Sequence, residues 1–277
     1  MYMTIGIDIG GSTTDIVGFE NGELLLPLTV KASDPVSSAA GALGRYLAET
    51  GKDLKDISTL AVTGVGAGAL GENLLGLPIS RIDEFRAIGR GGVFLSGVTS
   101  AVVASLGTGT AIVEVEKGHI EHWGGTGVGG GTLVGLSKAL IGVSDIELIA
   151  KKAAKGRLEK IDLSVGDIAT QEIPGLPPDT TAANFAKMAE DATDDDLAMA
   201  VVNLVCETVG MIAAGAAGAT NKKIVVLIGK LAAFPAAAKV FKRLSALNGL
   251  EYRIAKLAAF ATAVGAAVEA GGDNRNN

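Results

Sequence analysis

Three short segments combine residue types that could handle phosphate. The first is Asp8-Ile-Gly-Gly-Ser-Thr-Thr-Asp15. Gly10 and Gly11 let backbone amides approach an anion closely, and Ser12, Thr13 and Thr14 add hydroxyls, so the turn can act as an anion cradle. Asp8, at the end of an apolar run, would face the same space. A carboxylate there suits Mg²⁺, a hard cation that takes oxygen ligands together with substrate phosphates. The plainer reading is an ordinary hairpin in which Asp8 caps a turn. The second segment, Leu106-Gly107-Thr108-Gly109-Thr110, is another Gly/Thr turn. Two such turns facing across a cleft would embrace a polyphosphate from both sides. Neither continues into Gly-Lys-Ser/Thr, so neither is a Walker A loop, and the glycines at 127–131 lack the long strand that a dinucleotide fingerprint requires. Thr132, just beyond those glycines, marks instead a helix N-terminus expected to be open to a phosphate or nucleotide. In the third segment, Ser80 to Phe85, the carboxylates of Asp83 and Glu84 suit a general base for a hydroxyl attacking a phosphoryl group. A solvated acidic turn is the plainer reading.

Positioning these segments requires strands. The chain opens with an apolar run, the first Gly/Thr turn, an alternating run to Glu20, an Asn21-Gly22 hairpin signal and a third strand over 24–30. A helix is predicted over 36–50 and a strand over 57–63, then a short strand over 79–85 and a helix over 86–95. At residue 98 the plan restarts: a buried-type strand, the second Gly/Thr turn, a returning strand to Glu116, and a tight turn at Lys117-Gly118-His119. We therefore divide the chain into an N-terminal domain, 1–96, and a C-terminal domain, 97–270, with a frayed tail over 271–277. The second half adds predicted helices over 132–140, 145–155, 182–189, 195–219, 235–248 and 258–270, and a strand over 223–228.

Composition narrows the function classes. The 277 residues are 48% hydrophobic and 19% charged, enough apolar content for a core. The 39 glycines show no collagen-like triplet and must serve turns and close backbone approaches. A net charge of −6 argues against a phosphate-backbone binder, and 4% aromatics against a stacking platform for single strands, so no nucleic-acid partner is expected. Cys206 is the one cysteine; it excludes an internal disulfide and fits a reduced, cytoplasmic compartment. No secretory leader pattern opens the chain. The most membrane-like stretch, 197–220, contains Asn203 and Glu207 and reads as a buried helix, so no membrane partner is expected.

The duplicated strand–turn–strand plan resembles the superfamily of sugar kinases, acetate kinases, actin and heat-shock ATPases. It implies an α/β fold of two actin-like, ribonuclease H-like domains with mixed central sheets and an ATP cleft between them. More narrowly, the chain resembles the type II (eukaryotic-like) pantothenate kinases. The matching pieces are collinear: GIDIGGSTTDIV from Gly6, DEF from Asp83, SLGTGT from Ser105, GGTGVGGGTLVGL from Gly124, TAANF from Thr181, VLIGK from Val226 and FATAVGAA from Phe260. The resemblance implies ATP and Mg²⁺ as cofactors and Glu84 as base for the pantothenate hydroxyl. It places the segment from Asp8 in the first phosphate loop and Gly107 to Thr110 in the second. Gly130, Gly131 and Thr132 fall in the nucleotide-binding stretch, and Gly229 and Lys230 at the adenosine end. Ala183 in TAANF, His122 and Arg81 become substrate contacts, and a homodimer is implied, with the small residues of the long helix available for close packing. Two positions depart from the family pattern: Asp15 stands where a Lys is usual, and His122 where an Arg is usual. Arg offers a fixed, always charged fork that His does not, so Arg81 or Arg86 would have to compensate at an anionic acceptor. The departures leave open a different hydroxylated acceptor, an ATPase that remodels a partner enzyme, or a nucleotide-binding regulator.

Overall fold

The structure, a computed structural model, describes residues 3–31 and 33–272. The expected frayed tail, from residue 273 on, lies outside the described residues. In chain order the elements are β1 (Met3–Ile9), β2 (Thr13–Glu20), β3 (Glu23–Leu24), β4 (Leu28–Lys31), α1 (Pro35–Thr50), β5 (Ile57–Thr63), β6 (Asn73–Leu74), β7 (Leu77–Arg81) and α2 (Glu84–Ser96). There follow β8 (Ser100–Leu106), β9 (Thr110–Glu116), β10 (His119–Thr126), α3 (Gly130–Ile141), α4 (Ile146–Lys155), β11 (Leu163–Ser164), α5 (Val165–Ile168) and β12 (Thr181–Ala183). Last come α6 (Asp194–Ala219), β13 (Ile224–Ile228), α7 (Pro235–Asn248), β14 (Glu251–Ile254) and α8 (Ala261–Ala267).

Two sheets repeat one plan. The first runs β4-β2-β1-β5-β7 and the second β10-β9-β8-β13-β14, and the central strand of each, β1 or β8, pairs antiparallel with β2 or β9 and parallel with β5 or β13. The next turn of each half, β2 to β3 and β9 to β10, is made by matched dipeptides. Asn21-Gly22 and Lys117-Gly118 both take positive φ, the twist that two-residue turns need to match right-twisted strands. Ile5, Ile7 and Ile9 alternate onto one buried face of β1 and pack against Leu43 and Tyr46 of α1. Asp34 caps α1 by accepting from the Ser37 amide at 2.8 Å, with Pro35 in the first turn and Gly51 ending the helix at φ +66.

The helices that follow the last strand of each plan exchange sheets. The N-terminal half's α2 lies on β8, β9 and β13, whereas the C-terminal α8 lies on β1, β2 and β5. The two helices cross closely because Gly91 and Gly265 have no side chains: a Cβ on either would sit 1.8 Å from a carbonyl oxygen, that of Ala261 or Ala87. Helix α6 has the length and apolar composition of a membrane span, and 61% of its most apolar window is buried inside the protein. The small residues expected to serve a dimer contact also serve the fold here: a Cβ on Gly210 would meet the Leu244 side chain of α7 at 2.3 Å.

Some expected boundaries shift. Glu84 opens a helix instead of closing a strand, because Asp83 accepts from the Arg86 amide and starts α2 there. The helix expected over 182–189 is absent: Phe185 and Met188 take positive φ, and the Phe185 amide donates to the buried Asp162 carboxylate at 2.8 Å. The strands β10 and β14, which complete the second sheet, were not anticipated. Both run along half-exposed edges with no continuous apolar run.

Candidate functional site

A cleft of about 590 Å³ opens between the ends of the two sheets. Gly10, Gly11, Ser12 and Thr13 line it from the first hairpin, Gly107 and Thr108 from the second, Gly130 and Gly131 from the start of α3, and Gly229 and Lys230 from the turn after β13. The two hairpins face one another, since a Cβ on Gly11 would lie 3.7 Å from the Thr108 hydroxyl. The first turn is closed by the Gly10 amide donating to the Thr13 carbonyl at 3.0 Å.

Charge gathers at the base of the first hairpin. Asp8 and Asp15 stand directly opposite in the β1–β2 register. Burial first, and then the charges of Asp15 and Glu84, push the Asp8 carboxyl up to about 7, against a smaller lowering by Lys230. Burial also raises Asp15, although Lys230 and a 2.5 Å hydrogen bond from the Thr29 hydroxyl oppose it. Gly64, at φ +91, leaves the room Asp8 occupies: a Cβ there would sit 2.3 Å from Oδ1. Carboxylates in excess of the nearby cation, in a cleft lined with amides and hydroxyls, are a donor set that fits Mg²⁺ carried by a polyphosphate.

Glu84, at the first position of α2, is half-buried and close enough to Asp8 for its charge to act there. Burial, followed by the charge of Asp83, raises its carboxyl. Its neighbour Phe85 stacks on His122 with ring centroids 3.8 Å apart and planes at 14°. Glu84, Phe85 and His122 are not among the residues that line the cleft; Glu84 is tied to it through Asp8, and His122 is tied to Phe85 by the ring contact.

Other expected site residues are engaged elsewhere. Thr14 points into the protein, fully buried. The Thr110 hydroxyl donates to the Val128 carbonyl at 2.8 Å. A Cβ on Gly109 would meet the Thr126 carbonyl oxygen at 3.0 Å, away from the opposite hairpin. The helix N-terminus at Thr132 is not open: the Gly130 and Gly131 amides donate to the Gly107 and Thr108 carbonyls at 2.7 and 2.8 Å. Thr132 itself caps, donating to the Gly127 carbonyl and accepting from the Gly129 amide. The helix's orphan amides hold the second hairpin instead of a ligand. The Arg81 guanidinium donates to the carbonyls of Ala67, Leu70 and Gly71, and Arg86 is bound to Glu269. Ala183 lies in β12, paired with Leu163, away from the cleft lining.

Cleft residues that sequence reasoning missed include Lys31, Ser144 and Asp145. Asp145 caps α4 by accepting from the Leu148 amide at 2.8 Å, and its capping pattern was legible even though its place in the cleft was not. The repeat itself could have flagged Gly64, which follows β5 as Gly229 follows β13.

The fold is that of the actin-like ATPases and sugar kinases: two duplicated halves with a cleft between the sheets. The activator of the 2-hydroxyisocaproyl-CoA dehydratase from Clostridium difficile, solved with bound ADPNP, superposes over 97% of this chain and 94% of its own with a TM-score of 0.68 at 18% identity. A ROK family glucokinase from Streptomyces griseus, in complex with glucose and AMPPNP, covers 96% and 98% with a TM-score of 0.61 at 15% identity. Among curated proteins, type II pantothenate kinases are similar over most of their length. The Oceanobacillus iheyensis protein is 30% identical over 81% of this chain and 83% of its own. The Staphylococcus aureus protein is 28% identical over 95% and 98%. The sequence pattern of the Fumble family matches residues 97–240, and the chain belongs to that family.

Proposed function

We propose that the protein is an ATP-dependent kinase that phosphorylates the hydroxyl of pantothenate. The observation that carries this reading is the placement of Glu84, a half-buried carboxylate held at a helix start, near enough for its charge to act on Asp8, which lines the cleft. The nucleotide's phosphates enter between the two hairpins, where glycine backbone at 10–11 and the hydroxyls of Ser12, Thr13 and Thr108 meet them. Asp8 would hold Mg²⁺, whose charge offsets that of the phosphates when bound. The acceptor would sit beside Glu84, with His122, stacked on Phe85, as a further contact. Its hydroxyl gives its proton to a Glu84 carboxylate oxygen as the hydroxyl oxygen bonds to the terminal phosphorus, and ADP leaves along the cleft. A raised carboxyl is a stronger proton acceptor than an ordinary one, which suits a base working near neutral pH. His122 offers the acceptor's carboxylate at most one hydrogen bond, in place of a fixed fork. The reading includes a homodimer acting in the cytoplasm on a small molecule.

The test is ADP release with and without pantothenate, in wild type and in Glu84→Gln. Wild type should release ADP in a pantothenate-dependent way, and the variant should lose roughly 10²–10⁴-fold while still binding nucleotide. Pantothenate-independent release from wild type would refute the kinase reading. Full turnover by Glu84→Gln would remove Glu84 as the base.

A further inference from the structure

Lys230 belongs to the second half of the molecule, immediately after β13, yet its ammonium lies on the first hairpin. It donates to the Thr13 hydroxyl and sits 3.2 Å from Asp15 Oδ1. Gly229 fixes the origin of this reach. It takes φ +93, and a Cβ there would lie 2.4 Å from the Leu106 carbonyl oxygen, so the turn rests on the end of β8 and sends Lys230 across the cleft. The resemblance assigned Lys230 to the adenosine end. The geometry puts its charge among the residues that would meet phosphate.

We propose that Lys230 grips the terminal phosphates of the nucleotide, and that Asp15 and Thr13 are its resting partners, which it leaves when a triphosphate enters. This inference rests on the kinase reading for the identity of the nucleotide. Asp8 and Asp15 face each other in register on adjacent antiparallel strands, a like-charge pairing that is unfavourable without a cation. Lys230 supplies that cation from the opposite half. An ammonium has three donors, and Thr13 and Asp15 engage two of them. The side chain keeps 31% exposure and lines the same cleft as Gly11, Ser12 and Thr108. Its four-carbon stem lets the charge swing from a carboxylate to a phosphate without backbone movement.

Calorimetric titration of the whole protein in magnesium buffer decides this, using AMPPNP and AMP as probes on wild type, Lys230→Met, Lys230→Arg and Asp15→Asn. Loss of a charge-assisted contact should weaken AMPPNP roughly 10–100-fold in Lys230→Met, with AMP changed less than about twofold. Lys230→Arg should recover part of the loss. Asp15→Asn should tighten AMPPNP by roughly two- to fivefold, because the resting ion pair no longer competes. Equal weakening of AMP and AMPPNP in Lys230→Met would place the residue at the adenosine end and overturn the proposal, as would unchanged AMPPNP binding in a variant that melts like wild type. The discrimination between AMPPNP and AMP is read without turnover. It therefore stands even if wild type shows no pantothenate-dependent ADP release, an outcome that would remove the kinase reading alone.

Discussion

The two halves of the molecule share a topology and differ in what they place at equivalent positions. At the penultimate residue of the leading strand the first half has Asp8, paired with Asp15, and the second has Ser105, paired with Ala111. After the glycine that ends the fourth strand the first half has the exposed Val65 and the second has Lys230. At these matched positions the first half therefore contributes anions and the second a cation. The hairpins differ in support as well. The first turn is open towards the cleft, whereas the second has two of its carbonyls bound by the amides of α3. Duplication supplied two equivalent frames. The first hairpin holds the carboxylate that Lys230 would leave, and the second hairpin is held in place by α3.

The largest expected effects come from adding side chains in the first hairpin and at the start of α3 that packs on the second. A Cβ on Gly129 would lie 2.7 Å from the Gly109 carbonyl carbon and oxygen, backbone that cannot yield. Gly129→Val should cost about 1–3 kcal/mol or more through overpacking and lower Tm by several degrees. Gly11→Val meets only the Thr108 hydroxyl, at 3.7 Å from its Cβ. That variant should melt like wild type and lose nucleotide affinity, its branches standing where phosphate must approach backbone. Thermal melts paired with calorimetry separate the two. Equal destabilisation by both substitutions would erase the distinction between an open turn and a supported one.

The distinction was only half legible in the sequence. Strand-forming alternation, Asn21-Gly22, Asp34-Pro35 and the Gly/Thr turns are local signals, and they yielded the duplicated plan and most of its boundaries. Ser12, Thr13 and Thr108 line the cleft. Thr14 and Thr110 do not, because alternation along a strand sends neighbouring residues to opposite faces. The amides at the start of α3 promised an anion site on local grounds, but which acceptor they find depends on a strand end some twenty residues earlier. The Asp8–Asp15 register, the reach of Lys230 and the commitment of Arg81 to three carbonyls are likewise long-range facts. Periodicity carries no information about them.

A smaller effect tests the charge asymmetry through stability. The Asp8 carboxyl is raised from 3.8 to about 7 in the fold. Between those values the folded chain holds a proton that the unfolded chain releases, so this group's contribution is full at acid pH and is lost as pH rises through about 7. In metal-free, nucleotide-free buffer, Asp8→Asn should raise Tm at pH 8 by roughly 2–4 °C relative to wild type, with the gain shrinking towards pH 4. Ser105→Ala, at the matching position of the second half, should show no such dependence on pH. A pH-independent difference for Asp8→Asn, or a loss of stability at pH 8, would mean that Asp8 carries no strained charge in the empty cleft.

The smallest expected effect concerns Glu84, whose carboxyl is raised first by burial and then by the neighbouring charge of Asp83. Asp83 also caps α2 through its bond to the Arg86 amide, and Asn caps about as well as Asp. Asp83→Asn thus removes the charge and keeps the helix start. A base works only when deprotonated, so a raised carboxyl moves the acid limb of kcat/KM to higher pH. Removing Asp83's charge should move that limb back towards lower pH, while the plateau rate above it stays within about twofold of wild type, since cap and base are both retained. Asp83→Ala, which loses the cap as well, should lower the plateau in addition. If the limb stays in place in Asp83→Asn while the plateau holds, the limb does not report Glu84, and the base must be sought among the carboxylates of the first hairpin.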